Sequence, residues 1–339
     1  MFRHAELVHW MKNPTKKYIP PSVDIDLTNI CDQDCYYCNS ASFRKEHPTQ
    51  KKFEDYISLL DKLSTWRQHS PDSFGTLHTI IFVGGGEPTL FNRYERVIEH
   101  AVDLGFLTSL TTNGSKLNKL AENIDHDKLR KMGWIGVDVD AGSEELYEFI
   151  RKSKTKNMFE RVLKNIRMLT DIGANVDLKI LLSEHNIDDQ SLHNIFVMAK
   201  DLNVRQIYFR PVTSNGSSFP IQDFITKLEE LSDQYQVKSK FNTKKDIPRN
   251  YNRCHQMFQY PSFCADGKIY TCCENKGIKR FDLGSWDQDD FRDLWLSEKH
   301  MSIYNSINTN FCPPCRSHHH NIAIQDIIDN PDKIETLHC

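Results

Sequence analysis

The octapeptide CDQDCYYC, Cys31 to Cys38, sets three thiols at spacings of four and three residues. Structural zinc takes four ligands, usually as two CxxC pairs, and neither Asp32 nor Asp34 is an attractive fourth. Three thiolates on a four-iron cubane leave one iron open to another ligand, whereas four thiolates close it. A second set of cysteines lies far downstream at Cys254, Cys272, Cys312 and Cys315, the last two in CPPC. A hairpin, ADGKIYTC, turning at Asp266-Gly267 would swing Cys272 back toward Cys254 and favour one shared metal. Four thiolates from two segments make a closed site for zinc or for a second iron-sulfur cluster, and spacing alone does not choose between them.

Both sets need a scaffold. SVDIDL (22 to 27), LHTIIFV (77 to 83), FLTSLTT (106 to 112), WIGVDVD (134 to 140), VDLKILL (176 to 182) and VRQIYFR (204 to 210) read as six β-branched, apolar strands. Between them FEDYISLLDKLSTW, YERVIEHAVDLG, MFERVLKNIRMLTDIG and LHNIFVMAKDL return apolar residues every three or four positions, the helical period. Strand and helix in alternation imply an α/β fold with a parallel sheet, and six such units make a partial, open (β/α)6 barrel. Gly105 and Gly173 suit glycines that close helices just before the next strand. CDQDCYYC follows the first strand and VGGGEPTL (83 to 90) ends the second, at the carboxyl edge where parallel barrels place their chemistry. Gly84, Gly85 and Gly86 let backbone approach a ligand closely, and Glu87 supplies a carboxylate able to hold an ammonium group.

After Arg210 the character changes. PVTSNGSSFP is a connector, followed by a polar helix near 221 to 236 and a basic loop, TKKDIPRN; seven of the ten cysteines then fall between 254 and 339, which describes a small cysteine-rich unit held by metal. The expected division is a lead over 1–21, a barrel over 22–215, a connector over 216–250 and the cysteine-rich domain over 251–339. With 339 residues, 39% of them hydrophobic, the chain can bury a full core and carry a second unit. A formal charge of -3 gives no global pull toward nucleic acid or an anionic membrane. No apolar run approaches the roughly 18 to 20 residues of a membrane span, and the N-terminus lacks a signal-peptide core. A cytoplasmic setting is expected, where clustered cysteines serve as metal ligands rather than disulfide partners.

CxxxCxxC with an aromatic, Tyr37, before its last cysteine resembles the signature of the radical S-adenosylmethionine (SAM) superfamily. The likeness continues in order through the GGE of VGGGEPTL, TTNG (111 to 114), VDVDAGSEELYEFIRK (137 to 152) and LKILLSEHN. It implies that Cys31, Cys35 and Cys38 hold a 4Fe-4S cluster whose open iron takes the amino and carboxylate groups of S-adenosylmethionine. By the same resemblance Tyr37 contacts the adenine region, Gly84 to Glu87 the methionine end, and Thr112, Asn113 and Asp140 the ribose or substrate side, while Arg151 or Lys179 holds the methionine carboxylate. One departure stands at Asp138, where many relatives carry Ser. Reductive cleavage would give methionine and a 5'-deoxyadenosyl radical that abstracts a substrate hydrogen, with flavodoxin or ferredoxin as the implied electron donor.

Downstream, the pattern CX9-15GX4C followed by CX2C resembles the SPASM and twitch auxiliary domains, which implies a second 4Fe-4S cluster on Cys254, Cys272, Cys312 and Cys315. CPPCRSHHHN lacks the later cysteines of a full SPASM domain, so one auxiliary cluster of the twitch type is expected. Cys264, Cys273 and Cys339 are left over. Cys273 reads either as a small buried residue or as a catalytic candidate that donates a hydrogen atom to a substrate radical, a role Cys264 could share; Asp140, on the substrate side, is the other catalytic candidate. His318, His319 and His320 look like metal ligands, yet three in a row on a loop cannot all face one ion, so they read as mostly exposed or as standing behind the ligands. Relatives with this domain pair mostly modify ribosomally made peptides, and others oxidise aminocyclitol alcohols. The expected substrate is therefore a peptide; the alternatives are a sugar or aminocyclitol dehydrogenase and a non-enzymatic iron-sulfur or zinc binding protein. A lead of about 20 residues is shorter than a peptide-recognition domain, so a separate recognition protein, or a leader read by the barrel, is expected.

Overall fold

Six parallel strands stand side by side in chain order: β1 (Ser22–Asp26), β2 (Thr79–Val83), β3 (Leu107–Thr112), β4 (Trp134–Asp138), β5 (Val176–Leu182) and β6 (Gln206–Pro211). The computed structural model describes residues 2–14, 16–67, 73–214, 217–242, 248–312, 315 and 317–331. Each expected strand is present, and the helices Phe53–Trp66, Tyr94–Asp103, Met158–Ile172 and Asp189–Asp201 occupy the crossovers. Their ends follow from local chemistry. Asp188 caps the last of them by accepting from Ser191 N at 2.9 Å. Gly105 and Gly173 take φ of +78° and +87°, left-handed turns that a side chain would strain.

On β6 the period of two is plain. Ile207 and Phe209 are fully buried, Phe209 lying 5.8 Å from the ring of Phe196 on the helix Asp189–Asp201, while Tyr208 and Arg210 between them are half-buried on the other face. Burying two aromatic rings of this size contributes about 1.5–3 kcal/mol each.

The later strands extend this sheet instead of building their own. β7 (Ser239–Phe241) pairs parallel with β6, and β8 (Ser262–Phe263) pairs parallel with β1 at the opposite edge. β9 (Lys268–Tyr270) and β10 (Asp282–Ser285) follow antiparallel, giving ten strands in the order β7-β6-β5-β4-β3-β2-β1-β8-β9-β10. The hairpin turn falls where expected: Gly267 has φ +87° and Asp266 accepts from Lys268 N at 3.0 Å. Residues 243–247 of the basic loop TKKDIPRN, the expected boundary at 215, and Cys339 lie outside the described residues. The reading of His318–His320 as an exposed loop is corrected: they open the helix His318–Asp329, and His318 is buried against the Tyr251 hydroxyl at 2.7 Å. Among the described residues no helix is long and apolar enough to cross a membrane.

Candidate active site

Cys31, Cys35 and Cys38 line a cleft of about 240 Å³ at the carboxyl edge of the barrel strands. Tyr37, Gly84 to Glu87, Thr112, Asn113, Asp140, Arg151, Lys179 and Cys273 line the same cleft, so the first set of candidates converges on one place. The cysteine loop is pinned from the side by the end of the helix Glu144–Arg151: Tyr36 N donates to Ile150 O at 2.8 Å and Asp34 N to Lys152 O at 3.3 Å. Burial pushes the Cys31 thiol up to about 12 and raises Cys35 as well, the latter opposed by the nearby Arg151 guanidinium. Thiols held protonated in this way release protons when they take a metal.

Two residues to which the sequence reading gave no role hold the loop. Gln33 is fully buried beneath it; its Oε1 accepts from Arg151 Nε at 2.9 Å and its Nε2 donates to the Tyr147 hydroxyl at 2.8 Å. Arg44 points Nη2 at the Cys38 sulfur, 3.6 Å away. Neither carried a signal, because a lone Gln between cysteines or a lone Arg on the short helix Ala41–Glu46 has no spacing to betray it.

The glycine turn is shaped by close contact with the strand exit beside it. A Cβ on Gly86 would sit 2.1 Å from Ile30 O, one on Gly85 2.3 Å from Asn29 Oδ1, and one on Gly84 2.1 Å from Gly86 O. Gly86 N and Glu87 N donate to Thr28 O and Ile30 O, fastening the turn to the strand that feeds the cysteines. Glu87 is buried, and its carboxylate accepts from Thr89 N (3.0 Å), Thr89 Oγ1 (2.7 Å), Thr112 Oγ1 (2.5 Å) and Asn113 N (2.6 Å). Burial raises its pKa while those four donors pull the other way. The expected holder of an ammonium group is thus already engaged within the fold.

The polar candidates behave similarly. Asp140, at φ +63°, gives one oxygen to Arg151 Nη1 at 2.7 Å and the other to Leu181 N at 2.7 Å. Lys179 Nζ stands 3.3 Å from Asp138, so the Asp that departs from the family pattern has a lysine partner. Tyr37 donates to Glu184 Oε1 at 3.0 Å and stacks on His185 at the cleft's mouth.

Cys254, Cys272, Cys312 and Cys315 surround a second cavity. Three of the sulfurs face N–H groups: Asn275 Nδ2 on Cys272 at 3.2 Å, Ser317 N on Cys315 at 3.3 Å and Asn321 Nδ2 on Cys254 at 3.8 Å. Burial, with Cys315 nearby, pushes the Cys254 thiol up to about 12, and burial does the same to Cys272. Among the described residues no three His, Cys, Asp or Glu side chains close to the spacing of a single ion. The two cavities meet through one segment: Cys272 faces the second, Cys273 and Lys276 face the first, and Glu274 lines both while accepting from Asn39 of the cysteine loop at 3.2 Å. Cys264 is fully buried and lines neither.

The Radical SAM superfamily pattern matches residues 25–194, half of the chain. The chain belongs to the radical SAM superfamily. Its relatives are enzymes, and the family implies a 4Fe-4S cluster and S-adenosylmethionine. Over 237 residues the chain is 28% identical to the probable GTP 3',8-cyclase of Methanocaldococcus jannaschii, covering 68% of this chain and 70% of that one. It is 24% identical over 177 residues to the sporulation killing factor maturation protein SkfB of Bacillus subtilis, covering 51% and 38%. The structure of Streptococcus suis SuiB bound to precursor peptide SuiA shares the fold at a TM-score of 0.65 and 13% identity, over 89% of this chain and 69% of that one. The residues present fit the implied cofactors: three thiols share one cleft, an arginine N–H faces one of the sulfurs, and the glycine turn walls the cleft with bare backbone.

Proposed function

We propose that this radical SAM enzyme modifies a ribosomally synthesised peptide, with Cys31, Cys35 and Cys38 holding the cluster that meets S-adenosylmethionine and Cys254, Cys272, Cys312 and Cys315 holding an auxiliary 4Fe-4S cluster. One observation carries the reading: adjacent residues, Cys272 and Cys273, face the two thiol-lined cavities, so a substrate in the cleft lies one residue from the auxiliary ligands. Bound on three thiolates, a cluster supplies the one-electron reduction of S-adenosylmethionine for which an open iron is needed.

The chain's own residues do the placing. The glycine turn admits the methionine end against bare backbone, and Tyr37 covers the adenine side at the mouth. Asp140 and Arg151 act by positioning the cysteine loop through Gln33. Cys273 is the thiol placed to return a hydrogen atom to a substrate carbon. Likeness to SkfB and the SuiB fold supports a peptide substrate. A small-molecule substrate is the second reading, supported by the 28% identity to the GTP cyclase. The peptide reading includes a reducing compartment, a flavodoxin- or ferredoxin-type donor and a separate recognition protein.

The test is anaerobic reconstitution followed by dithionite reduction with S-adenosylmethionine. About eight irons per chain are expected for two four-iron clusters, together with 5'-deoxyadenosine and a mass change in a precursor peptide encoded beside this gene. Uncleaved S-adenosylmethionine sinks the enzyme reading. Turnover of a sugar or nucleotide with every peptide untouched selects the second. Cys273→Ala with full iron and an unchanged product removes the hydrogen-donor role.

A further inference from the structure

Barrel interiors are ordinarily packed with branched apolar side chains. Here the inward positions of β5 and β6 carry Asp177, Lys179, Gln206, Tyr208 and Arg210, and a chamber of about 470 Å³ results, in which these polar groups stand among apolar and aromatic walls such as Ile81, Val83 and Trp134. It adjoins the cleft, with which it shares Val83, Thr111, Lys179, Arg210 and Cys273 as walls. Space is kept open by Gly136, where a Cβ would come within 2.6 Å of the Lys179 side chain and 2.7 Å of Trp134.

The chamber's lysines and arginines divide into two pairs. Arg205 is forked onto Asp177 at 2.8 and 2.6 Å, and Lys179 stands 3.3 Å from Asp138. Among the described residues, the side chains of Arg210, half-buried where the cleft meets the chamber, and of the exposed Lys240 on β7 make no hydrogen bond or ion pair. The remaining carboxylate on the wall, Asp24 on β1, belongs to the other edge of the six-strand run and has contacts of its own. His319 and His320 close the same chamber from the first turn of the helix His318–Asp329.

Two cations without a side-chain partner, set against the single further carboxylate of Asp24, leave a place for an anionic ligand, and a guanidinium at the junction offers a planar fork to carboxylate or phosphate alike. We propose that the chamber recognises an anionic group of the substrate, a carboxylate or a phosphate, through Arg210 at its junction with the cleft, with the exposed Lys240 on the same wall in support. This rests on the radical SAM reading of the cleft and narrows its substrate class: an acidic side chain or C-terminus of a peptide, or the phosphate of a nucleotide.

The test titrates the reconstituted protein, at fixed ionic strength, with glutarate, inorganic phosphate and uncharged glutaramide, following heat and Tm. Saturable millimolar binding of one or both anions is expected, at least tenfold tighter than glutaramide. Arg210→Met should weaken it at least tenfold, Lys240→Met less, and Arg210→Lys should recover part of it, with circular dichroism confirming the fold of each variant. Preference for glutarate assigns the group to a carboxylate, and preference for phosphate to a phosphorylated substrate. Equal binding of anions and glutaramide, or anion binding untouched by Arg210→Met, overturns the proposal. So does a loss of S-adenosylmethionine affinity in Arg210→Met with glutarate binding retained, which would assign the arginine to the cosubstrate. 5'-Deoxyadenosine formation is measured on the same wild-type preparation; its absence removes the enzyme reading and leaves the anion result standing.

Discussion

Arg151 Nη1 lies 2.7 Å from Asp140 Oδ2, and both side chains are buried. The guanidinium's Nε continues to Gln33, so the pair is the root of the hydrogen-bonded support under the cysteine loop. Removing one member of a buried pair strands the other, at a cost of about 3–5 kcal/mol. Arg151→Met should therefore lower urea-unfolding stability by that amount and reduce the iron bound at the first cluster. Arg151→Lys keeps the charge but cannot reach both Asp140 and Gln33 with a planar fork, and should fall between. A loss under about 1 kcal/mol for Arg151→Met would mean that water or rearrangement replaces the pair.

Gly86→Ala and Gly85→Ala make a graded comparison. The new methyl on residue 86 meets the backbone oxygen of Ile30 at 2.1 Å, which cannot move without disturbing the strand exit; on residue 85 it meets the Asn29 side chain, which can rotate at the expense of its bond to His47 O. Overpacking costs about 1–3 kcal/mol, and Gly86→Ala should sit at or above the top of that range. Thermal unfolding checks the order, and equal Tm values for the two variants would refute it.

Iron stoichiometry separates the two thiol sets. Replacing Cys31, Cys35 or Cys38 by Ala should remove about four irons and abolish 5'-deoxyadenosine formation. Replacing Cys254, Cys272, Cys312 or Cys315 should also remove about four, with S-adenosylmethionine cleavage reduced rather than lost. Zinc retained at the second set after anaerobic purification would contradict the assignment.

His300 provides a pH signature away from both cavities. Burial pushes it down to about 3 from 6.5, its Nδ1 accepts from Leu296 N at 3.1 Å, and its ring packs 4.5 Å from Trp295. The folded chain keeps it neutral while the unfolded chain protonates below 6.5. Its contribution is therefore intact above that value and is lost as pH falls toward 3, by up to about 1.4 kcal/mol per pH unit. Between pH 6.5 and about pH 5, unfolding free energy should fall more steeply in the wild type than in His300→Leu, by up to about 2 kcal/mol. Parallel slopes would show that other groups govern acid sensitivity.

The strands and crossover helices were legible because their signals are local: apolar repeats of two or of three to four, punctuated by Gly105 and Gly173. The two cysteine sets were legible through spacing. What escaped depended on contacts between distant segments. Nothing in the run from Asp140 to Arg151 shows that the two residues meet, or that Gln33, 118 residues earlier, receives the arginine's second bond. Glu87 reads as a ligand-facing carboxylate from its motif, whereas four donors from Thr89, Thr112 and Asn113 absorb it. The pairing of β8 with β1 was also invisible, since two-residue strands carry almost no periodic signal.

That pairing has a mechanical consequence. Ser262 and Phe263 run beside Asp24 and Ile25 at the spacing of neighbouring strands, and Trp295 Nε1 reaches back to Tyr18 O at 2.8 Å. The hairpin that leads to Cys272 and Cys273 is thus riveted to the same strand that leads to Cys31, with no swinging arm between the two thiol clusters. Their separation is built into the weave of the sheet, and lengthening the stretch between residues 215 and 250 should leave it unaltered.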